Sequence, residues 1–313
     1  HVEPGGLCET DALGQSGECA RDADLVDRLR RLAGPRFADL DHPRAVRLHD
    51  RAYDSDGVPE RNTRLSKALP QAAVLWQPSD PLTAYLSYSE GLSLGQEAPY
   101  WTSNDGSTLA PRLSRQVEAG VKYQVSEALN LTSAVYRIRQ PYQFARPDDT
   151  EAGFTFVQQG EEVHTGLELG ASGKLGTNLN LTASASFIRA RAENSGAAAY
   201  EGRQVVNVPR LRTAIHADYR LPFAPALSVL GGWRYASSNV ATPDGRERVP
   251  AYHVFDLGLR YTTQWRSHPL VARLGMDNVF NRFYWRDTGS SGGDSYLFPG
   301  APPLTRLSVT VGF

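Results

Sequence analysis

VHTGLELGASGKLGTNLNLTASASFIRAR, residues 163–191, decides the fold. In its first arm Val163, Thr165, Leu167, Leu169 and Ala171 fall on one face, with Glu162, His164, Gly166, Glu168 and Ser172 on the other. In its second arm Leu179, Leu181, Ala183, Ala185 and Phe187 alternate with Asn180, Thr182, Ser184 and Ser186. Period-2 alternation gives each arm one apolar and one polar face, as in a half-exposed strand. Between the arms lies GKLGTN, where Gly173, Gly176 and Asn178 tolerate the positive φ of a tight turn. Both arms exceed the usual strand of about 5–6 residues. A membrane wall needs strands of about 9–11 residues plus overhang. The expected arrangement has Val163, Leu167, Leu169, Leu181, Ala183 and Phe187 facing lipid, and Glu162, His164, Glu168 and Ser184 facing a lumen.

The chain has 313 residues, 21% charged, with a formal net charge of -1 and a mean hydropathy of -0.41. No stretch approaches 18 consecutive apolar residues, so no transmembrane helix is expected. A β-barrel escapes that test, because only alternate residues meet lipid. Near-neutral charge gives no reason to expect nucleic acid. The first residue is His1 and the sole Met is Met276, so the chain is expected to be a piece of a longer or processed one.

Residues 1–62 are polar and turn-rich, and are expected to form a long loop region on the external side. Within them the sequence predicts a short helix over 22–32, with Asp22 as N-cap and Leu25, Leu29 and Leu32 on one side, and a weak strand over 44–53. From residue 63 to 313 the chain reads as an antiparallel meander. Eleven strands are expected near 64–77, 82–94, 112–125, 129–140, 160–173, 178–191, 207–221, 226–238, 250–263, 269–279 and 303–313. In 129–140 the apolar residues change phase between Leu131 and Ala134, which predicts a bulge or a misplaced strand boundary. Short connections alternate with long ones near 95–111, 141–159, 192–206, 239–249 and 280–302, placing all long loops at one end. That asymmetry marks outer-membrane barrels. Trp76, Tyr88, Tyr123, Tyr219, Trp233, Tyr261 and Phe313 fall near strand ends, where interfacial aromatic girdles belong. An odd number of strands closes poorly as an antiparallel barrel, and an open edge in lipid leaves backbone groups unpaired. The fold expected is therefore all-β: an antiparallel transmembrane β-barrel meander that is part of a larger barrel.

WQPSDPLTAYLSYSEG (76–91), RQVEAGVKYQVSEALNLTSAVYRIR (115–139), NVPRLRTAIHADYRL (207–221), LGMDNVFNRFYW (274–285) and LTRLSVTVGF (304–313) together resemble the C-terminal half of TonB-dependent outer-membrane receptors, nearest the siderophore-receptor branch. The resemblance covers about residues 64–313. It implies a twenty-two-stranded barrel, of which eleven strands are half. It also implies outer-membrane uptake of a ferric siderophore or similar chelate, TonB as partner through an N-terminal region not in this chain, and Phe313 as a signal for the barrel-assembly machinery. Nothing in 1–62 resembles the family's plug. A passive porin, a structural barrel, a receptor for haem, cobalamin, copper or a sugar, or a soluble all-β binding module are the alternatives.

Candidate chemistry is sparse. Glu162, His164 and Glu168 share a face, but the two glutamates stand six residues apart, roughly 20 Å along a strand, too far for one metal. GASGKLGT (170–177) lacks the Ser or Thr after Lys174 and the following helix that a phosphate loop requires. The triplets at Asn130 and Asn180 begin strands and are read as chance. No Ser/His/Asp set or carboxylate pair indicates catalysis, and no cofactor is expected. Cys8 and Cys19 can close a disulfide in an oxidising compartment, stabilising the loop by about 3 kcal/mol on a chain-entropy estimate; free thiols or a metal site are the alternatives. For ligand binding the expected residues are long-loop aromatics and arginines: Tyr100, Trp101, Tyr142, Phe144, Arg146, Tyr284, Trp285 and Arg286, with Tyr200, Tyr296 and Arg139 as further candidates.

Overall fold

The computed structural model describes residues 44–53, 59–291 and 294–312; the expected helix at 22–32, Cys8, Cys19 and Phe313 lie outside the described residues. Its strands are β1 (Arg44–Tyr53), β2 (Pro59–Leu69), β3 (Gln71–Ser79), β4 (Leu82–Ser93), β5 (Arg112–Ser126), β6 (Leu129–Pro147), β7 (Phe154–Leu175), β8 (Leu179–Glu193), β9 (Leu211–Arg220), β10 (Leu227–Ala236), β11 (Asn239–Val240), β12 (Arg248–Val249), β13 (Tyr252–Trp265), β14 (His268–Asp277), β15 (Trp285–Ser291), β16 (Asp294–Pro299) and β17 (Leu304–Val311). Eleven of them form one antiparallel sheet in the order β17-β14-β13-β10-β9-β8-β7-β6-β5-β4-β3. The other six form three hairpins, β1-β2, β11-β12 and β15-β16.

Register keeps the two faces of the sheet distinct, because directly opposed residues in antiparallel strands project to the same side. One apolar rung links Leu86, Ala119, Val135, Leu167, Phe187 and Leu211 across six strands. Another links Tyr219, Val229, Leu259, Leu274 and Leu307. This face is bare: Leu257 is 57% and Leu307 is 74% exposed. An apolar surface of this extent needs a lipid or protein cover. Trp76, Tyr123, Tyr219, Tyr261 and Trp265 stand exposed near its short-turn border, as a girdle requires.

The opposite face is polar and cross-linked. Arg260 is bonded to Asp218 and, at 3.0 Å, to Ser228 Oγ. Arg234 reaches Asp256 at 3.2 Å, and Arg306 is bonded to Asp277. Two tyrosines lie flat over glycines of the next strand. A Cβ added to Gly120 would fall 2.4 Å from Tyr85 Cζ, and one added to Gly166 would fall 2.4 Å from Tyr136 Cζ. Tyr85 completes its position by donating to Glu118 at 2.6 Å.

Several expectations change in detail. The 129–140 stretch holds no bulge at Leu131–Ala134: its pairing with β7 is unbroken from Leu129 to Pro141. The phase shift reflects only Ser133 standing in the outward row between Leu131 and Val135, with Ala134 turned to the polar face. The irregularities fall instead between Gln124 and Ser126 and between Pro141 and Gln143. The expected loop at 141–159 is mostly strand, because β6 and β7 continue as a paired hairpin to Pro147 and Phe154, well past the last β5 partner, Arg139. The strand expected at 64–77 is divided at Pro70, which lacks an N–H for the ladder. Val163 is not lipid-facing: it is 4% exposed, covered where the loops begin. Asn178 keeps a negative φ and instead accepts from the Arg220 guanidinium at 3.3 Å.

Short turns lie at one end. One of them, Arg266-Ser267 between β13 and β14, has φ of 50° and 69° at its central residues, the left-handed pair of a type I′ turn. At the other end lie the segments 94–111, the β6–β7 extension, 194–210, 237–251 with β11-β12, and 278–303 with β15-β16.

Candidate functional site

Among the described residues, the long-loop end holds a buried aromatic cluster. Tyr142 stacks on Phe144 at 4.5 Å, and Tyr200 meets Phe144 edge-on at 5.3 Å. With Ala192, Val157 and Ala197 they make a buried cluster joining the β6–β7 extension to the 194–210 loop. Burial, helped by the nearby Glu162 carboxylate, holds the Tyr142 hydroxyl protonated far above the usual phenol range. Gln143 adds a polar clamp: its Oε1 accepts from Gln96 N–H at 3.0 Å, and its Nε2 donates to Gln158 Oε1 at 2.7 Å and Ala110 O at 3.2 Å. Asn104 bonds both backbone groups of Phe156, at 2.8 and 2.9 Å. Glu201 caps the next loop, accepting from Asn194 N–H, Ser195 N–H and Ser195 Oγ. The Ser195 hydroxyl first, then those two amides, hold its carboxyl below the usual glutamate range.

Asparagine motifs set the loop entries. Asn207, at φ 61°, donates its N–H to Val240 O at 3.1 Å and accepts Thr288 N–H on Oδ1 at 3.1 Å, so one residue joins three loops. Asn278, at φ 49° and buried, donates Nδ2 to Arg282 O and Ala301 O, accepts Arg282 N–H, and donates its own N–H to Asp256 of the wall at 2.8 Å. A non-glycine residue survives positive φ where such bonds fix it. The Asn-Val-Pro-Arg and Asp-Asn-Val-Phe-Asn runs are visible in the sequence; their bridging role is not, because the partners lie up to 81 residues away.

The expected ligand residues divide by exposure. Tyr142, Phe144 and Tyr284 are buried. Tyr284 packs on Tyr252 at 4.4 Å, against a backbone so close that a Cβ on Gly300 would fall 1.9 Å from its ring. Tyr100 is 62% exposed, and the half-buried Trp101 meets Phe154 edge-on at 5.4 Å. Arg146 donates to Gln159 Oε1 at 3.1 Å. Trp285 meets Phe283 at 5.0 Å, and Arg286 pairs with Asp287 at 2.6 Å. Arg139 shares the outward face with Val135, opposite the polar face of the sheet. On the polar face, strands β6 to β13 enclose a hollow of about 480 Å³ lined by Glu168, Ser184, Ser186, Arg212, Arg234 and Tyr252, so that face is concave. His164 Nε2 lies 3.7 Å from Glu162 Oε2 without a hydrogen bond, while Gln140 donates to Glu162 at 2.6 Å. No group of three metal-ligating side chains occurs among the described residues.

A family model described as TonB dependent receptor-like, beta-barrel, matches residues 25–279. The "Ferrichrome receptor FcuA" of Yersinia enterocolitica is 27% identical over 84% of this chain and 35% of its own length. The "Ferrioxamine B receptor" of Salmonella typhimurium is 25% identical over 97% of this chain and 41% of its own. Among solved structures, BauA, the ferric preacinetobactin receptor from Acinetobacter baumannii, superposes with a TM-score of 0.66 at 26% identity, over 80% of this chain and 37% of that one. The chain thus spans roughly a third to two fifths of the length of these relatives.

Proposed function

The chain belongs to the TonB-dependent receptor-like β-barrel family, and from that premise we propose that it forms the wall and external loops of an outer-membrane receptor that takes up a ferric siderophore. The observation that carries this reading is the pairing of a bare apolar outer face with a polar concave inner face, in a chain whose relatives are named as ferrichrome and ferrioxamine B receptors. Transport rather than catalysis is the role.

The proposed route follows the charges. A ferric chelate meets the loop end, where Tyr100, Trp101, Arg146, Trp285 and Arg286 supply aromatic area and cations. Tyr142, Phe144 and Tyr284 serve from behind, holding the loops that present those residues. Arg212 and Arg234 on the concave wall continue the cationic path inward. Closure with further strands to about twenty-two, a plug in the lumen and TonB outside it complete the proposed assembly.

Uptake of radiolabelled iron as ferrichrome and as ferrioxamine B, in isogenic strains with and without the gene, tests the proposal. Loss of uptake of one chelate in the deletion strain, restored by the plasmid-borne gene but not when TonB is also deleted, is the expected result. Equal uptake of every ferric chelate in both strains removes the transport reading.

A further inference from the structure

The β6–β7 hairpin leaves the wall over a joint. β5 pairs with β6 as far as Arg139, and β6 pairs with β7 unbroken to Pro141 and Glu161. The next pair is Gln143 with Gln158, so Tyr142 stands against both Gln159 and Gly160. A one-against-two bulge bends the ladder and increases its twist. Gly160 permits the bend: its φ is 74°, and a Cβ there would fall 2.5 Å from the carbonyl oxygens of Glu193 and Asn194. Above the joint the hairpin carries Phe144, Gln143 and Arg146, and with them the packing and clamp that order the loop end.

Directly below the joint, register stacks two rungs on the polar face. Gln140, Glu162 and Ala192 form the upper one; Gln116, Ile138, His164 and Ala190 form the lower. Gln140 ties β6 to β7 by donating to Glu162 Oε2 at 2.6 Å. His164 Nε2 lies 3.7 Å from the same oxygen, is buried, and has no hydrogen bond. Both side chains are largely withdrawn from solvent, at 17% exposed for His164 and 13% for Glu162. An imidazole with its proton on Nδ1 turns a lone pair toward the carboxylate, and two acceptors keep such a distance. Protonation gives Nε2 an N–H and turns the same pair into a charge-assisted bond, typically of about 2.7–2.9 Å. Among the described residues no other carboxylate is in ion-pair range of His164. The remaining ionisable groups on this face are Glu118 and Arg112 of β5, Tyr136 of β6 and Glu168 of β7. Glu118 is engaged by Tyr85 and Gln116. β8 faces the pair with Ile188, Ala190 and Ala192, and the 194–210 loop brings Arg203 and Arg210 beside Ala190.

We propose that His164 is a proton-operated latch at the root of this hairpin. Taking one proton from solvent onto Nε2, it grips Glu162, whose carboxylate has lone pairs enough to keep Gln140 as well. Three side chains on two strands then close beneath the bulge, and the hairpin above loses freedom. Imidazole is the side chain whose charge ordinarily changes between about pH 5 and 8. The imidazolium is the form that gains a partner in the fold, so its stabilisation is present at acid pH and lost as pH rises through the titration. The latch therefore closes on acidification. Its use rests on the transport reading given above: a stiffened root presents the loop end already ordered to an incoming chelate, which lowers the ordering cost of binding.

The test is hydrogen exchange of the complete protein carrying this chain, with the pH dependence of the chemical exchange step divided out. In wild type the amides of 141–160 are expected to exchange about tenfold more slowly at about pH 5.5 than at about pH 8, the scale of one charge-assisted hydrogen bond. H164A is expected to exchange fast at both, and H164Q, whose amide N–H is a permanent donor, to lose the pH response. If H164A fails to show the heat-modifiable mobility of a folded barrel, E162Q replaces it, again with the response abolished. Wild type without a pH response overturns the proposal, as does a folded H164A that keeps one. Binding of ferrichrome and ferrioxamine B to the same preparations is read in parallel, and is expected to tighten several-fold at the acid pH in wild type alone. An exchange response with pH-independent binding overturns the regulatory role. Binding of neither chelate at either pH counts against the transport reading, while a lost exchange response with intact binding counts against the latch.

Discussion

The wall and the loop end of this chain obey opposite packing rules. In the wall, large apolar side chains such as Leu257, Leu307 and Val309 are the exposed ones, and charged pairs such as Arg260–Asp218 line the concave side. At the loop end the order inverts: Tyr142, Phe144 and Tyr284 are buried, and Arg286 and Tyr100 face out. One polypeptide is thus folded against two solvents. The lesson is that burial identifies a core only where water is the reference; for the wall, pairing register does that work.

The contrast can be broken most directly by charge. Leu257→Arg on the outward face is expected to cost about 2–4 kcal/mol near mid-membrane and to reduce assembled barrel sharply, while Ser184→Arg on the concave face leaves assembly near wild type. Heat-modifiable gel mobility and urea titration of the complete protein read both; equal behaviour of the two variants would contradict the assignment of faces. Gly166→Val follows in size, because the Tyr136 ring must leave its seat, at about 1–3 kcal/mol in the same titration.

Loop-end changes should leave the wall intact. Asn278→Ala removes three side-chain hydrogen bonds and the tolerance of φ 49°. It is expected to loosen the 278–303 segment by about 1–3 kcal/mol, read as faster protease nicking there at unchanged barrel mobility. Glu201 sharpens the comparison by pH. Its folded pKa lies below the usual glutamate value of 4.5, so its contribution is complete above that value and fades as pH falls through the lowered one. Protection of the 194–204 amides from hydrogen exchange should therefore persist at mildly acid pH and weaken only below 4.5, whereas Glu201→Gln should show weaker protection throughout. The smallest effect expected is a gain: Asn-Gly in place of Arg266-Ser267 puts residues that tolerate positive φ at both positions and should raise urea stability by about 1 kcal/mol.

The wall was legible in the sequence because period-2 alternation is local: Val117 to Val125 and Leu179 to Phe187 state their own faces. The loop-length asymmetry and the eleven strands of the sheet followed from the same pattern. Where a small residue occupied a wall position, as at Ser133 and Ala134, alternation failed as a guide and pairing alone decided. At the loop end composition could name aromatics but not sort them. Tyr142 is buried because of partners at Ala192 and Tyr200, contacts made across loops that no local period encodes, whereas Tyr100 is exposed. Asn207 and Asn278 were visible as motif letters, yet their work depends on φ and on distant acceptors.

The two tyrosines seated on Gly120 and Gly166 bear on how the strands find their alignment. A slip of one residue turns every side chain to the wrong side and is rejected by the membrane itself. A slip of two residues preserves both faces, so neither lipid nor water opposes it. It would, however, set Tyr85 over Glu118 or Lys122 in place of Gly120, and Tyr136 over His164 or Glu168 in place of Gly166. Neither site has room for a ring lying on the backbone. The flat rings thus act as proofreading keys: they distinguish the true alignment from an even-numbered slip, the kind of error that amphipathicity cannot detect.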